Sequence, residues 1–137
     1  FDGTVETIES LRDKYNPKFG IYTTSSISEI KNKCSKFDGF LDFFNDGLIG
    51  RDSIKNLKPA PDGIIKLSKQ WGIPCENIIM VGDMEMDILA GKNAGSITVG
   101  VTCGFSNHER MNKYGPDFII DVVSDLPRIV DKVIDRI

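Results

Sequence analysis

The sequence is poor in cysteine. Cys34, Cys75 and Cys103 are odd in number, far apart and never in CxxC spacing. That excludes a disulfide framework and a structural zinc site, and fits a reducing cytoplasm. There is no excess of positive charge. Lys and Arg number 17 against 20 Asp and Glu, a net charge of −3, which gives no reason to expect nucleic acid or an anionic membrane as partner. No apolar run approaches the ~20 residues that span a bilayer, and no basic, apolar leader marks a signal peptide. No internal repeat or low-complexity tract interrupts the chain. The single histidine, His108, lies in a polar stretch (106–110) that reads as a solvent-exposed loop, not as a source of chemistry. Phe1, not Met, opens the sequence, and a segment upstream of it is expected.

What remains is an ordinary globular composition, 40% hydrophobic and 27% charged over 137 residues, enough for one core. Helical and strand-like patterns alternate along it. Val5, Ile8, Leu11 and Tyr15 lie near helical spacing, and Asn16-Pro17 ends that helix. An apolar strand is expected over 19–22. Ser26 and Glu29 form a capping-box pair opening a second helix, with Ile27, Ile30, Cys34 and Phe37 on one face. A short strand is expected within 43–50. Pro61-Asp62 starts a helix carrying Ile64, Leu67 and Trp71, and Gly72 closes it. Residues 78–81 are continuously apolar, as in a parallel strand covered on both faces. A helix over 85–94 stops at Gly95, strands follow over 97–101 and 118–120, and a last amphipathic helix carries Leu126, Ile129, Val130, Val133, Ile134 and Ile137. Such alternation predicts an α/β three-layer sandwich around a parallel, Rossmann-like sheet. Ligands bind such sheets at the carboxyl ends of the strands, which directs attention to Thr23-Thr24, Lys58 and Gly82-Asp83.

Gly82-Asp83-Met84-Glu85-Met86-Asp87 follows the 78–81 strand directly. Asp83 falls in the strand–helix loop and Asp87 in the next helix's first turn. Two carboxylates four apart can converge on a hard cation such as Mg2+; equally, acids at a helix N-terminus complement its dipole. Lys58, in Lys58-Pro59-Ala60-Pro61-Asp62, has a backbone restricted by two prolines and can aim an ammonium into a site; alone, it reads as a solvated lysine before a helix. Thr23-Thr24-Ser25-Ser26 places hydroxyls and backbone amides where a helix N-terminus binds phosphate. Ser26 as a plain N-cap explains the same run.

The order of these pieces resembles the haloacid dehalogenase superfamily, in its phosphoglycolate-phosphatase and β-phosphoglucomutase branch, from Val5 through Val130. Phe19-Gly20-Ile21-Tyr22-Thr23-Thr24 is similar to the family's second motif, which implies that Thr23 binds phosphate and Thr24 makes a second contact. Lys58 in KPAPD matches the third motif, whose lysine neutralises phosphate and nucleophile. Val81-Gly82-Asp83 with Asp87 matches the fourth. There Asp83 is implied to hold Mg2+, and Asp87 to ligate through water or to orient Lys58. Gly100-Val101-Thr102-Cys103-Gly104 is similar to the glycine-flanked stretch after the fifth strand.

The resemblance implies a Mg2+-dependent phosphomonoester hydrolase working through an aspartyl-phosphate, acting on phosphoglycolate or a small sugar phosphate. Its alternatives are a mutase of the same branch and a non-catalytic phosphate-binding module. The family's nucleophile stands in a DxDGT pattern, of which only Phe1-Asp2-Gly3-Thr4 is visible. Either Asp2 is the acid/base residue with the nucleophile just upstream, or Asp2-Gly3 merely opens the first helix. One helix alone separates Asp2 from Thr23, a spacing that favours the second reading. On either reading no Asp here matches the nucleophile. Residues 1–137 are therefore expected to be the C-terminal core of a larger capped protein, with first strand and cap upstream. The chain alone is expected to be inactive, the complete protein to be a cytoplasmic monomer or homodimer.

Overall fold

The computed structural model describes residues 3–35, 39–44, 47–102 and 107–135. Helix α1 (Thr4–Tyr15) buries Ile8 and Leu11 and ends where Asn16 takes a left-handed backbone, φ 47°. Strand β1 (Ile21–Tyr22) leads to α2 (Ile27–Cys34), whose N-cap Ser26 accepts the Glu29 N–H at 3.2 Å. After a 3-10 turn over Phe40–Phe44 come β2 (Leu48–Ile49) and α3 (Asp62–Trp71), closed by left-handed Gly72. The second half alternates β3 (Ile79–Gly82), α4 (Glu85–Ala94), β4 (Ile97–Val101), α5 (His108–Tyr114), β5 (Phe118–Ile120) and α6 (Leu126–Asp135).

Among the described residues all strand pairs are parallel, in two pieces: β1 with β2, and β3–β4–β5 in that order. Side-chain alternation divides the larger piece between two helical layers. Ile79, Val81, Val99, Val101, Phe118 and Ile120 pack with Leu126, Ile129 and Val133 of α6, and α1 lies beside α6. On the opposite face, Ile78 and Met80 meet Ile64 of α3 and Ala90 of α4. Ile129 is 2% exposed and Val133 7%, so each contributes about 1.5–3 kcal/mol through burial. The one fully buried polar side chain of β4, Thr98, is satisfied by Asp117, whose Oδ2 accepts its N–H at 2.8 Å and its hydroxyl at 3.1 Å. This is the three-layer α/β arrangement expected. Among the described residues no helix is long and apolar enough to cross a membrane.

Two local expectations change. The strand expected over 19–22 shortens to Ile21–Tyr22, because Phe19 turns aside to meet Phe43 and Phe44 edge-on. The short strand expected within 43–50 is present as Leu48–Ile49. The polar loop expected around His108 is instead the start of α5, with the Asn107 side chain accepting the Arg110 N–H at 2.8 Å and Gly115 ending the helix. His108 is exposed there. Asp2, Phe37, Cys103 and Ile137 lie outside the described residues.

Candidate active site

The carboxyl ends of β1 and β3 carry the polar residues singled out above. Thr23 follows β1 and prolongs its ladder by one bond, its N–H donating to the Ile49 carbonyl at 3.0 Å. Its Oγ1 accepts the Ser25 N–H at 3.2 Å, and a hydroxyl so engaged still has its own proton to donate. Thr24, one residue on, is exposed.

Lys58 stands before a cis peptide to Pro59 and reaches toward the end of β3. Its Nζ donates to Asp87 Oδ1 at 2.5 Å and to the Tyr22 carbonyl at 3.3 Å. The two side chains are 11% and 10% exposed, so the pair is shielded from solvent. Asp87 sits in the first turn of α4, where a carboxylate meets the positive end of the helix. Its Oδ2 accepts the Met84 N–H at 3.2 Å. Both Asp87 oxygens are thus engaged by protein N–H groups. Asp83 is half-buried in the β3–α4 loop.

Glycine at position 82 permits this packing. A Cβ there would lie 2.5 Å from Asp87 Oδ2. Met84 and Met86, on either side of Glu85, are 43% and 40% exposed, whereas Met80 of β3 is buried.

The structure therefore brings Lys58 and Asp87 into contact and ties both to the end of β1, next to Thr23. It also shows a residue the sequence reading passed over. Tyr22 lends its carbonyl to Lys58 and stacks its ring 5.2 Å from the ammonium. Its signal in the sequence was an aromatic bearing a polar tip at the end of a short strand, which needs a hydrogen-bond partner when buried. Burial pushes the Tyr22 phenol above its ordinary value; the Gly63 backbone amide opposes this, and the negative charges of Asp62 and Asp87 add to it.

Among the described residues no three His, Cys, Asp or Glu cluster to hold a metal. Both acids that the sequence suggests for a metal, Asp83 and Asp87, offer carboxylate oxygen, and Asp87 already has its two oxygens engaged by Lys58 and Met84. Carboxylate oxygen suits Mg2+, which takes one or two carboxylates and keeps several waters, and does not suit zinc.

Parallel strands sheathed by helices on both faces, with a shielded lysine–carboxylate pair at their carboxyl ends, define a Rossmann-like α/β domain with its polar site where ligands enter such sheets. The chain belongs to the haloacid dehalogenase-like hydrolases, whose family model matches residues 1–95. It is 37% identical over 130 residues to pyrophosphatase PpaX of Listeria monocytogenes serotype 4a, covering 95% of this chain and 58% of that one. Among solved structures it is similar to a "predicted phosphoglycolate phosphatase" from Haemophilus somnus 129PT, with TM-score 0.86, 26% identity, and coverage of 95% of this chain and 56% of that one. A hydrolase from Pseudomonas syringae matches with TM-score 0.80 at 27% identity, over 97% of this chain and 61% of that one. The chain thus spans less than two thirds of the length of these relatives.

Proposed function

We propose that residues 1–137 form the larger part of a phosphoryl-hydrolase core which, in the complete protein, cleaves a small phosphate ester or pyrophosphate with Mg2+. The observation that carries this is the shielded Lys58–Asp87 pair beside Thr23 at the strand ends. Of the three N–H donors on the Lys58 ammonium, Asp87 and Tyr22 take two. The third serves a phosphoryl oxygen, which the Thr23 hydroxyl and the exposed Thr24 also contact. Asp87, with both oxygens engaged, acts by holding Lys58. Asp83 is the residue to hold Mg2+, which when bound offsets charge on the transferring phosphoryl group.

The attacking carboxylate is assigned to a further strand lying between β1 and β3. That β1 and β3 share no ladder supports this position, since unpaired strand edges present N–H and C=O groups for another strand. Pyrophosphate and phosphoglycolate are the first substrates to test, on the names of the relatives above. The unpaired Cys34 and Cys75 support a reducing, cytoplasmic setting, for a monomer or homodimer with no nucleic-acid or membrane partner.

The test is phosphate release by the protein carrying such an upstream strand, compared with residues 1–137 alone, both with Mg2+. Turnover is expected only from the longer protein. In it, Lys58→Ala should cost about a thousandfold or more, because it removes a cation from a water-poor site. Lys58→Arg should not restore the rate, since a planar fork does not replace a compact ammonium. Phosphate binding without turnover by the longer protein would favour a non-hydrolytic phosphate-binding module instead.

A further inference from the structure

We infer that Tyr22 is a positioning residue for Lys58, and that its ring, more than its hydroxyl, fixes where the ammonium meets the phosphoryl group. This rests on the phosphoryl-hydrolase reading above and adds to it a specificity of placement. A lysine side chain is long and flexible, and burying it in one rotamer loses conformational freedom. Asp87 alone restrains only the charged tip of Lys58. Tyr22 restrains the residue at two further levels. Its ring lies under the ammonium, 5.2 Å from Nζ, where the negative face of the π system attracts a cation, and its carbonyl accepts from the same Nζ at 3.3 Å. At the other end of the ring, the hydroxyl donates to the Ala60 carbonyl at 3.3 Å, two residues past Lys58. One side chain thus grips both the tip of the lysine and the backbone that carries it.

The fit around the ring is specific. A Cβ at Gly63, in the first turn of α3, would stand 2.5 Å from Tyr22 Cε1 and Cζ. The helix therefore approaches the ring this closely because residue 63 is glycine. Ile64, Ile78, Met80 and Ala90 pack around the same place, so the ring has little room to rotate away. Burial favours the protonated phenol over the phenolate, which keeps the hydroxyl a donor to Ala60.

The experiment uses NMR of the full chain with labelled lysine, and the kinetics of the strand-bearing protein. With Tyr22 in place, the ring current should move the Lys58 ε-methylene protons upfield of the exposed lysines. Tyr22→Phe should keep that shift. Tyr22→Leu should abolish it, and Gly63→Ala, which displaces the ring without touching residue 22, should reduce it. In the strand-bearing protein Tyr22→Leu should lower kcat by about tenfold or more with little change in KM, as misplacement of a charge-stabilising group does, and Tyr22→Phe should recover most of the rate. Unchanged Lys58 shifts in both Tyr22→Leu and Gly63→Ala would overturn the inference. So would displaced shifts with undiminished kcat. Should the unsubstituted longer protein lack turnover, the hydrolase reading fails and the NMR shifts alone decide whether Tyr22 places Lys58. If Tyr22→Leu does not fold, Gly63→Ala decides.

Discussion

A Cβ on Gly82 would stand 2.3 Å from the Cβ of Asp87; the last residue of β3 and the first turn of α4 occupy adjoining space because one of them has no side chain. That relationship delivers the Asp87 carboxylate to Lys58. Gly82→Ala should force Asp87 or the start of α4 to move, at a cost of about 1–3 kcal/mol of stability from overpacking. Urea unfolding reads the cost. The variant should also lose the Lys58–Asp87 contact, whereas a loss below a few tenths of a kcal/mol would show that the turn yields freely.

The Lys58–Asp87 pair is shielded at both ends, so its partners depend on each other. Lys58→Met or Asp87→Leu alone should destabilise the protein by about 3 kcal/mol, because each leaves a buried charge unpaired. The double variant should cost clearly less than the sum. A double-mutant cycle by chemical denaturation measures the coupling, and additive losses would show that the pair is solvated in solution.

Mg2+ addition should shift the backbone resonances of residues 82–87, weakly in this chain if a further carboxylate completes the site. Asp83→Asn should remove that response, since an amide is a poor substitute for a carboxylate toward a hard cation. An identical titration in the variant would move the metal elsewhere.

The raised Tyr22 phenol makes stability depend on alkaline pH. The folded protein keeps that proton when the unfolded chain gives it up near pH 10, so the native state binds more protons there and stability falls as pH rises. The contribution is whole below the unfolded value and disappears as pH passes through the folded one. Hydrogen bonding to Asp131 raises the Tyr15 phenol as well. Thermal unfolding from pH 8 to 11 should therefore decline less steeply in Tyr22→Phe than in the parent, and less again when Tyr15→Phe is added. Superimposable curves would place the Tyr22 phenol in water.

Much of the second half of the fold was legible because its signals are local. Gly72 and Gly95 end α3 and α4 with the left-handed backbone their position suggested, and residues 97–101 and 118–120 form the strands their apolar runs imply. Helix α5 escaped because its seven residues bury Met111 alone, too little for an amphipathic stripe. Its Asn107 cap and Gly115 stop were the available signs. The division of the parallel sheet was beyond periodicity, which describes a strand's faces and not its neighbours. At the site, Lys58 and Asp87 were each visible as motif residues, and the dual role considered for Asp87 already included orienting Lys58. Tyr22 showed only as an aromatic with a polar tip at a strand end, since its part depends on Ala60, Gly63 and Lys58, brought to it only by the fold.

Two strands that share no ladder with the other three also open on a different schedule. Backbone amides of Val99 and Val101, in a strand paired on both sides and almost wholly buried, report the most cooperative unit of the protein and should exchange with solvent deuterium last. Ile21 and Tyr22, in a two-residue strand that is only half-buried, belong to a unit that opens at lower free energy. Lys58, bonded to the Tyr22 carbonyl of the first unit and to Asp87 of α4 beside the second, links the two. Whatever tightens that link therefore transmits protection across the boundary, and an anion settling on Lys58 should be felt first as slower exchange at Ile21 and Thr23.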